Sequence, residues 1–325
     1  MMICFSPLEG LTDAIYRRVH HGLFPGVDKY IMPFVSPSSA LSFTSRQQAD
    51  ISPAENAGVP AVPQVLAKNP DYFLDMARLL KDAGYGEVNL NLGCPSGTVT
   101  GKGKGAAMLR DRDALRAFLD RVYEKSPLPV SLKTRAGYDS PEEWEGLLAI
   151  FIQYPVREWI LHPRTCREFY YGHPHRDFYA QARAAAPFPV IYNGDIFTKE
   201  DYLDFVSACP EPFGLALGRG MAVNPALARE IRGGEKLNME DLRSFHDHLY
   251  REYLKSWPEH AVVGRMHGVM HYLTQAMDCP PPLLRALRKS TGADEYTDAA
   301  ARVFATAQVK AEVRFIPPGQ EGAAL

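Results

Sequence analysis

The sequence predicts a (β/α)8 barrel followed by a small C-terminal bundle of helices. From the first residue to about residue 232, short apolar runs alternate with helical patterns, which is typical of repeated strand and helix units. About eight such strands over roughly 230 residues fit a closed parallel barrel, in which functional residues lie at the carboxyl ends of the strands. An open doubly wound sheet is the alternative, but no GxGxxG motif follows the first strand. The predicted strands are residues 3–6, 29–32, 61–65, 87–91, 130–133, 159–162, 190–192 and 214–217.

A hinge is predicted at residues 232–236, where two glycines lie among charged residues. Directly after it, Asn238 and Asp241 have the spacing of a helix N-cap and its N3 carboxylate. These signals divide the chain into a barrel domain at residues 1–232, a helical domain at 238–315 and a disordered tail at 316–325. The first helix has an apolar stripe of Leu242, Phe245, Leu249 and Tyr253, and three further helices are predicted at residues 261–277, 282–288 and 293–310.

The composition is that of an ordinary globular protein. The chain has 325 residues, of which 46% are hydrophobic and 23% are charged, so it is long enough for a large core. No stretch is apolar over the roughly 20 residues that a membrane span requires, and the N-terminus lacks the basic and apolar regions of a signal peptide. We therefore expect a cytoplasmic protein without membrane association, and we favour a monomer.

The cysteines and the net charge limit the kinds of site that the chain can contain. The five cysteines are odd in number and form no CxxC pair, which favours reduced thiols over a disulfide framework or a zinc site. We expect no bound metal. The formal net charge is −2, so any nucleic-acid binding must depend on local basic clusters or on a family resemblance.

Residues 87–110 change from a strand to a glycine-rich loop and then to a helix. The apolar run ends at Gly93-Cys94-Pro95, where proline has no amide hydrogen to continue a sheet ladder. A free cysteine most often packs in a core, but Cys94 is followed by a loop with four glycines between residues 97 and 105. Neither GxxxxGK[ST] nor GxGxxG fits the spacing of this loop. The segment therefore predicts a functional loop at a strand exit.

Polar or charged residues follow seven of the eight predicted strands. In a barrel the carboxyl ends of the strands meet at one mouth, so we expect these side chains to share a site. A single Asn or Gln at such a position is more often a turn former or a cap, whereas a set at one mouth indicates a ligand site. In chain order the residues are Glu9, Gln64, Asn91, Lys133, His162 with Arg164, Asn193 with Asp195, and Arg219.

Lys133 follows an apolar strand and is expected to point toward the barrel axis, where an unpaired ammonium is costly to bury. It requires an anionic partner, either a carboxylate from another strand or the region of N1 and the carbonyl oxygen of a reduced flavin. After the seventh and eighth strands, Gly194 and Gly218 allow backbone amides to approach a phosphate, and Arg219 adds charge. A nicotinamide or sugar phosphate would suit the same loops, so the pattern alone does not select FMN.

The segment NLNLGCP, followed by the glycine-rich loop and GAAML, resembles the signature of the dihydrouridine synthases, FMN enzymes that reduce uridines in tRNA. The resemblance extends from Pro7 to about Asn224 and includes His162 to Thr165, which is similar to the family's H-x-R-T motif. It implies that Cys94 is the proton donor, that Asn91 helps to hold the uracil and that NADPH or NADH is the reductant. The residues that it assigns to FMN are Pro7, Leu8, Glu9, Gln64, Lys133, His162, Asn193, Gly194, Asp195, Gly218 and Arg219.

Three positions depart from the family pattern. Leu8 replaces a methionine, Pro163 replaces a small residue, and Gly97 stands where a lysine often follows the Cys-Pro pair. Lys102 and Lys104, further along the same loop, could supply the phosphate contact of the missing lysine. The opening PLEG is similar to the C subgroup of the bacterial enzymes, but the catalytic residues do not determine which uridine is reduced.

The resemblance also implies a tRNA partner, because members of the family hold tRNA with a C-terminal helical domain while the barrel receives one extruded base. A cluster of basic residues at 285–289 fits this role, although a solvated helix face would look the same. Two alternatives stay open: an FMN barrel oxidoreductase acting on a free pyrimidine, of the dihydroorotate or dihydropyrimidine type, and an RNA-binding protein without chemistry. The retained Cys94, Lys133 and His162 disfavour the second alternative. In addition to Asn91, the residues assigned to tRNA are Lys102, Lys104, Arg164, Arg285, Arg288 and Lys289.

Overall fold

We describe residues 1–38 and 41–315 in a computed structural model. The disorder predicted for residues 316–325 lies outside these described residues. The chain divides into two compact units, the first formed by Met1–Glu9, Asp28–Asp195 and Ala208–Leu217, the second by Gly10–Val27, Ile196–Ser207 and the chain from Gly218 onward. The proposed functional division at residues 232–238 stays a prediction.

The first unit contains a nine-stranded parallel sheet. Its strands are β1 (Met2–Phe5), β2 (Lys29–Ile31), β3 (Ala61–Val62), β4 (Gln64–Val65), β5 (Val88–Leu92), β6 (Val130–Gly137), β7 (Trp159–Thr165), β8 (Val190–Tyr192) and β9 (Gly214–Leu217). Their spatial order is β3-β2-β1-β9-β8-β7-β6-β5-β4. The fold is thus a nearly closed (β/α)8, or TIM, barrel followed by a helical bundle, as the sequence predicts.

Pro63 explains why eight predicted strands become nine. It lies between β3 and β4 and has no amide hydrogen for the ladder, so the predicted strand at 61–65 splits into two short pieces. The first piece pairs with β2 and the second with β5. This kinked strand therefore joins the two edges of the sheet and brings the barrel close to full closure.

The strand interiors supply an apolar layer inside the barrel. Six strands each contribute one buried side chain to it, and burial of a valine or isoleucine side chain stabilises a fold by about 1.5–3 kcal/mol. The members are Cys4, Ile31, Val62, Ile160, Ile191 and Ala216.

At the amino ends of the strands, Lys29 forms ion pairs with Glu87 at 3.0 Å and Glu158 at 2.8 Å. An ion pair between an interior lysine and a carboxylate was one of the two partners expected for Lys133. In the structure Lys29 forms such pairs, at the end of the barrel opposite the strand exits.

Helices follow most strands, and a bundle follows the last one. The α-helices are α1 (Ala14–Leu23), α2 (Ser45–Asp50), α3 (Pro70–Asp82), α4 (Gly97–Thr100), α5 (Arg112–Lys125), α6 (Trp144–Phe151), α7 (Arg176–Ala185), α8 (Lys199–Ala208), α9 (Arg219–Val223), α10 (Leu227–Ile231), α11 (Met239–Ser256), α12 (Glu259–Leu273), α13 (Pro281–Lys289) and α14 (Ala293–Thr306). Short 3₁₀ helices lie at Gly105–Arg110, Pro141–Glu143 and Thr274–Ala276, and β10 (Met277–Asp278) pairs antiparallel with β11 (Gln308–Val309).

Two strands are longer than the sequence predicts. β6 continues four residues beyond the predicted end at 133, and β7 continues to Thr165 rather than ending at 162. The apolar run ends earlier because polar side chains face the barrel interior from the last residues of both strands. Lys133, His162 and Arg164 consequently lie within strands and not at their exits, which corrects the predicted placement.

The helices after the barrel follow the predicted patterns closely. Asn238 caps α11 through a reciprocal capping box with Asp241, whose amide nitrogen lies 2.9 Å from Asn238 Oδ1. The predicted apolar stripe of α11 is buried, and Met266 and Met270 of α12 are buried as well, so both methionines belong to the core. α12 ends at Leu273, four residues before the predicted end, because a 3₁₀ turn and β10 follow.

Two further findings concern the whole described chain. Among residues 1–38 and 41–315, no helix is both long and apolar enough to cross a membrane. Within the same ranges, no cluster of three or more His, Cys, Asp or Glu side chains is placed to hold a metal ion.

Candidate active site

A chain of buried amide side chains crosses the mouth of the barrel. Gln64 Nε2 donates to Asn89 Oδ1 at 2.8 Å, and Asn91 Nδ2 donates to Gln64 Oε1 at 2.8 Å. Asn89 Nδ2 continues the chain to Ser131 Oγ at 2.9 Å. These residues lie opposite one another because β4, β5 and β6 pair Gln64 with Asn89 and Asn89 with Ser131. The oxygen and the nitrogen of each buried amide thereby have a hydrogen-bond partner, and the orientation of Asn91 is determined.

Asn91 holds the loop that carries Cys94. Its Oδ1 accepts hydrogen bonds from the amides of Gly93 at 3.1 Å and Cys94 at 2.9 Å. On the far side, the amide of Ala106 donates to the Cys94 carbonyl at 3.1 Å. Gly105 has a φ of +60°, and a Cβ there would lie 2.9 Å from the same carbonyl, so glycine is required for this close approach. The Cys94 backbone is therefore held from both sides.

The environment of Cys94 favours the protonated thiol. Burial is the main cause and raises the pKa of the thiol, while a hydrogen bond from the Ser96 amide and the charges of Lys133 and Arg135 oppose it only in part. The side chain keeps partial solvent exposure at the barrel mouth. A thiol of this kind retains its proton at neutral pH and can donate it to a ligand.

Lys133 lies beside this loop on β6, opposite Asn91 on β5. Its ammonium donates to Asn193 Oδ1 at 2.6 Å, and Asn193 Nδ2 donates in turn to the Ala216 carbonyl at 2.6 Å. Among the described residues, Lys133 forms no ion pair with a carboxylate. Burial lowers its pKa to about 7, and the charge of Arg135 adds to the effect. The structure thus gives Lys133 a neutral partner and, within the described residues, no anion that would balance the charge of its protonated form.

The low pKa of Lys133 predicts a pH-dependent cost to stability in the ligand-free protein. Between pH 7 and 10.5 the unfolded chain holds a proton that the folded protein has lost, so folding stability rises with pH in this range. Lys133→Met should therefore stabilise the protein most at pH 6 and less at pH 9, which thermal unfolding at the two pH values can measure. Lys81→Met, on an exposed face of α3, is the matched control. An equal effect of Lys133→Met at both pH values would contradict the assignment.

His162 and Arg164 lie two residues apart on β7 and face the same interior. Arg164 is fully buried, and its five N–H groups are all engaged. Nε donates to Tyr171 O, Nη1 to His162 Nε2 and Asp195 Oδ1, and Nη2 to Gly172 O and Asp195 Oδ2. This geometry does not favour a direct tRNA contact for Arg164. It favours a role in which Arg164 positions His162, Asp195 and the loop after β7.

The hydrogen bond from Arg164 also determines the orientation of the His162 ring. A guanidinium can only donate, so His162 Nε2, 3.1 Å away, accepts. The ring proton of the neutral imidazole then lies on Nδ1.

Arg135 is a site residue that sequence reasoning missed. Its Nε donates to Gly93 O at 3.2 Å and its Nη1 to Thr165 O at 2.7 Å, so it connects the Cys94 loop with the end of β7. The guanidinium also lies 5.4 Å from the ring centre of Tyr170. The alternation of Ser131, Lys133 and Arg135 along one strand was the available signal, but it requires knowing that β6 extends to Gly137.

The loops predicted to bind phosphate are held by internal contacts. Gly194 has no space for a side chain, because the Tyr192 ring lies where its Cβ would be. Asp195 pairs with Arg164, as described above. Gly218 and Arg219 belong to the second unit, where Gly218 precedes α9 and the Arg219 guanidinium lies 4.9 Å from the Phe315 ring centre. The phosphate contacts assigned to these loops stay predictions.

The exit of β1 has one unsatisfied polar group. Ser6 is buried, its amide donates to Leu217 O at 2.7 Å, and within the described ranges its hydroxyl has no hydrogen-bond partner. Such an orphan hydroxyl indicates a place where a ligand or water completes the hydrogen bonding. Pro7, Leu8 and Glu9 follow it toward solvent, with Glu9 exposed.

The remaining predicted tRNA residues are basic side chains at two places. Lys102 is exposed in the loop after β5, and Lys104 is partly buried there. Arg285, Arg288 and Lys289 are exposed on α13, and no ion pair involves any of them in the part of the chain that the structure describes. Arg288 also lines a cleft of about 670 Å³ in the second unit, together with His271 and Lys310.

A family model described as dihydrouridine synthase matches residues 4–308 of this chain. The chain belongs to the dihydrouridine synthase family. Two relatives of this family member are named tRNA-dihydrouridine(16) synthase. The protein of Pseudomonas putida is 28% identical, with 96% of this chain and 98% of the relative covered. That of Pseudomonas syringae is 25% identical, with coverage of 91% and 97%.

A third relative and one solved structure extend the comparison. A protein of Synechocystis named probable tRNA-dihydrouridine synthase 1 is 31% identical over 71% of this chain and 65% of its own length. The structure of an old yellow enzyme homologue from Zymomonas mobilis has a TM-score of 0.50 and 11% identity, and covers 72% of this chain and 89% of that one. At this identity the likeness of the dihydrouridine synthase fold to that structure concerns the barrel alone.

Proposed function

We propose that this protein is a tRNA-dihydrouridine synthase that uses FMN and NADPH or NADH to reduce the 5,6 double bond of a uridine in tRNA. The observation that carries the proposal is Cys94. Its thiol is held protonated by burial, at the mouth of the barrel, in a loop positioned by Asn91 and beside the cation of Lys133. Membership of the dihydrouridine synthase family supports the reaction class.

The residues at the mouth suit an FMN ring system. Lys133 offers a cation that has no carboxylate partner within the described residues and that an electron-rich flavin edge would balance. Ser6 offers a hydroxyl without a hydrogen-bond partner within the described residues, and His162, oriented by Arg164, is a further candidate contact on β7. Gln64 keeps one N–H beyond its two bonds in the amide ladder. These groups are donors, as the oxygens and nitrogens of an isoalloxazine require.

Each residue then has a defined task. Bound FMN would supply the hydride that goes to carbon 6 of the uracil. Cys94 donates a proton to carbon 5, because the developing negative charge spreads over that carbon and the adjacent carbonyl. Asn91 fixes the loop of Cys94 and holds the uracil, while Arg135 connects that loop with the end of β7. Arg164 acts through His162 and Asp195 and does not itself touch the substrate.

The relatives suggest nucleotide 16 as the target. Two relatives that match this chain over more than nine tenths of both lengths are named for that position. Mass spectrometry of tRNA nucleosides, mapped by position in cells with and without the gene, tests this. We expect dihydrouridine to be lost at position 16 and restored by the wild-type gene. Loss of dihydrouridine at another position would assign a different target nucleotide. Unchanged dihydrouridine content in tRNA, together with turnover of a free pyrimidine, would contradict the proposed function. A tRNA substrate also places the protein in the cytoplasm.

The basic face of α13 is proposed to contact tRNA. Three exposed cations on one short helix raise the local potential, although the whole chain carries a net charge of −2. Replacing Arg285, Arg288 and Lys289 by Gln should raise the KM for tRNA and lower the salt slope of binding by about 0.7–0.9 for each phosphate that is no longer neutralised. Steady-state kinetics measure the KM for tRNA, and filter binding at several salt concentrations measures the salt slope. Arg302→Gln, exposed on α14, is the control. Unchanged affinity in the triple variant would show that α13 is only a solvated face.

A further inference from the structure

Three lysines from two loops meet at the carboxyl end of the barrel. Lys68 follows β4, and Lys102 and Lys104 lie in the loop that follows β5. Gly103 has a φ of +71°, and a Cβ built on it would lie 3.7 Å from Lys68 Cδ and 3.8 Å from Lys68 Nζ. Gly103 thus brings the loop against the Lys68 side chain. No sequence pattern joins Lys68 to the other two, because 34 residues separate it from Lys102.

The cluster lacks compensating negative charge. None of the three lysines forms an ion pair within residues 1–38 and 41–315. The one hydrogen bond of their ammonium groups there runs from Lys104 Nζ to Ser36 Oγ at 2.6 Å, and Ser36 Oγ donates in turn to Leu66 O at 3.1 Å. Burial lowers the pKa of Lys104, and the charges of Lys102 and Lys68 lower it further. Mutual repulsion of this kind is relieved when an anion binds among the ammonium groups.

The cluster is also connected to the catalytic loop. The segment that carries Lys102 and Lys104 continues into Gly105 and Ala106, and the Ala106 amide donates to the Cys94 carbonyl. An anion bound by the lysines therefore lies on a segment bonded to the backbone of the proton donor.

We propose that Lys68, Lys102 and Lys104 form one phosphate-binding subsite of the substrate site. This rests on the proposed function, because the phosphate then belongs to the tRNA backbone next to the nucleotide that enters the barrel. The 2′-phosphate of NADPH has the same chemistry and is the second possible source. Lys68 supplies the cation that the loop after β5 lacks at Gly97.

The test is tRNA binding by three variants and two controls. Lys68→Gln, the triple change of all three lysines to Gln, and Lys68→Arg are compared with the wild type and with Lys81→Gln, an equally exposed lysine at the end of α3. Filter binding with unmodified tRNA gives the dissociation constant at several salt concentrations. Steady-state kinetics give the KM for NADPH and for NADH separately. Thermal unfolding verifies that each variant is folded.

Distinct results identify the source of the phosphate or reject the subsite. For a backbone phosphate, the triple variant raises the Kd for tRNA on the order of tenfold and lowers the salt slope by about 0.7–0.9, with Lys68→Gln showing part of the loss and Lys68→Arg retaining affinity. A rise in the KM for NADPH without a rise for NADH assigns the subsite to the 2′-phosphate. If a folded triple variant matches Lys81→Gln in every measurement, the subsite does not exist. Wild-type protein that binds tRNA but leaves its uridines unreduced would instead contradict the proposed function.

Discussion

Cys94→Ala is expected to bind FMN and to accept electrons from NADPH, but its flavin should be reoxidised by tRNA about 10²–10⁴ times more slowly than in the wild type, the range for loss of a positioned acid. The reason is that alanine has no proton to give to carbon 5, while the bonds of Asn91 Oδ1 to the loop go to backbone amides and survive the change. Stopped-flow absorbance with unmodified tRNA separates the two half-reactions.

Cys166→Ala is the matched control for this experiment. Cys166 is buried in the same unit, burial also raises its pKa, and Arg135 is near both thiols. Removing the Cys166 thiol should change the decimal logarithm of the reoxidation rate by no more than a few tenths, as expected for a thiol outside the reaction. A Cys94→Ala protein that reoxidises at the wild-type rate would remove Cys94 from the mechanism.

The rate of the tRNA half-reaction should also depend on pH in a defined direction. Because the pKa of Cys94 is raised, its acid form persists through neutral pH and is lost only above the usual range of a thiol. The reoxidation rate should therefore be level near pH 7 and fall at alkaline pH. A fall that begins below neutral pH would indicate a different proton donor.

Lys133→Ala is expected to weaken FMN binding and to slow flavin reduction by about 10²–10³-fold, the loss that accompanies removal of one preorganised charge donor. In the ligand-free protein the ammonium donates to the amide oxygen of Asn193 and, within the described residues, pairs with no carboxylate, so a bound flavin would be the group that balances its charge. Fluorescence titration with FMN measures the affinity, and stopped-flow reduction by NADPH measures the rate.

Two controls make the outcome specific to the charge. Lys133→Met keeps most of the aliphatic volume and should show the same loss as alanine, whereas Lys81→Ala on the exposed face of α3 should show none. If heat-released supernatant of the wild type contains no flavin and added FMN produces no binding signal, the proposed cofactor is wrong. If Lys133→Met binds FMN as tightly as the wild type, FMN is bound without the help of this cation.

Regular structure was predictable because it depends on local periodicity and capping. Two strands, β8 and β9, begin and end where the sequence predicts, and the N-cap at Asn238 and the buried stripe of α11 are confirmed. The exits of β6 and β7 were misplaced because a strand that continues with inward-facing polar residues has the same local pattern as a loop. The break at Pro63 was foreseeable from its missing amide hydrogen, yet closure of the barrel depends on pairing with β2 and β5.

By itself, the sequence determined the barrel class and the helical bundle, because both depend on local periodicity. It also identified Cys94, Asn91 and Lys133 as candidate site residues, because each lies at or near the end of a predicted strand. Only the tertiary structure decided that Arg164 is fully engaged by Asp195, His162 and the loop after β7, and that Lys68 joins Lys102 and Lys104. These pairings unite side chains from different strand exits. Local sequence carries no information about which loops meet, because that depends on strand order and register around the barrel.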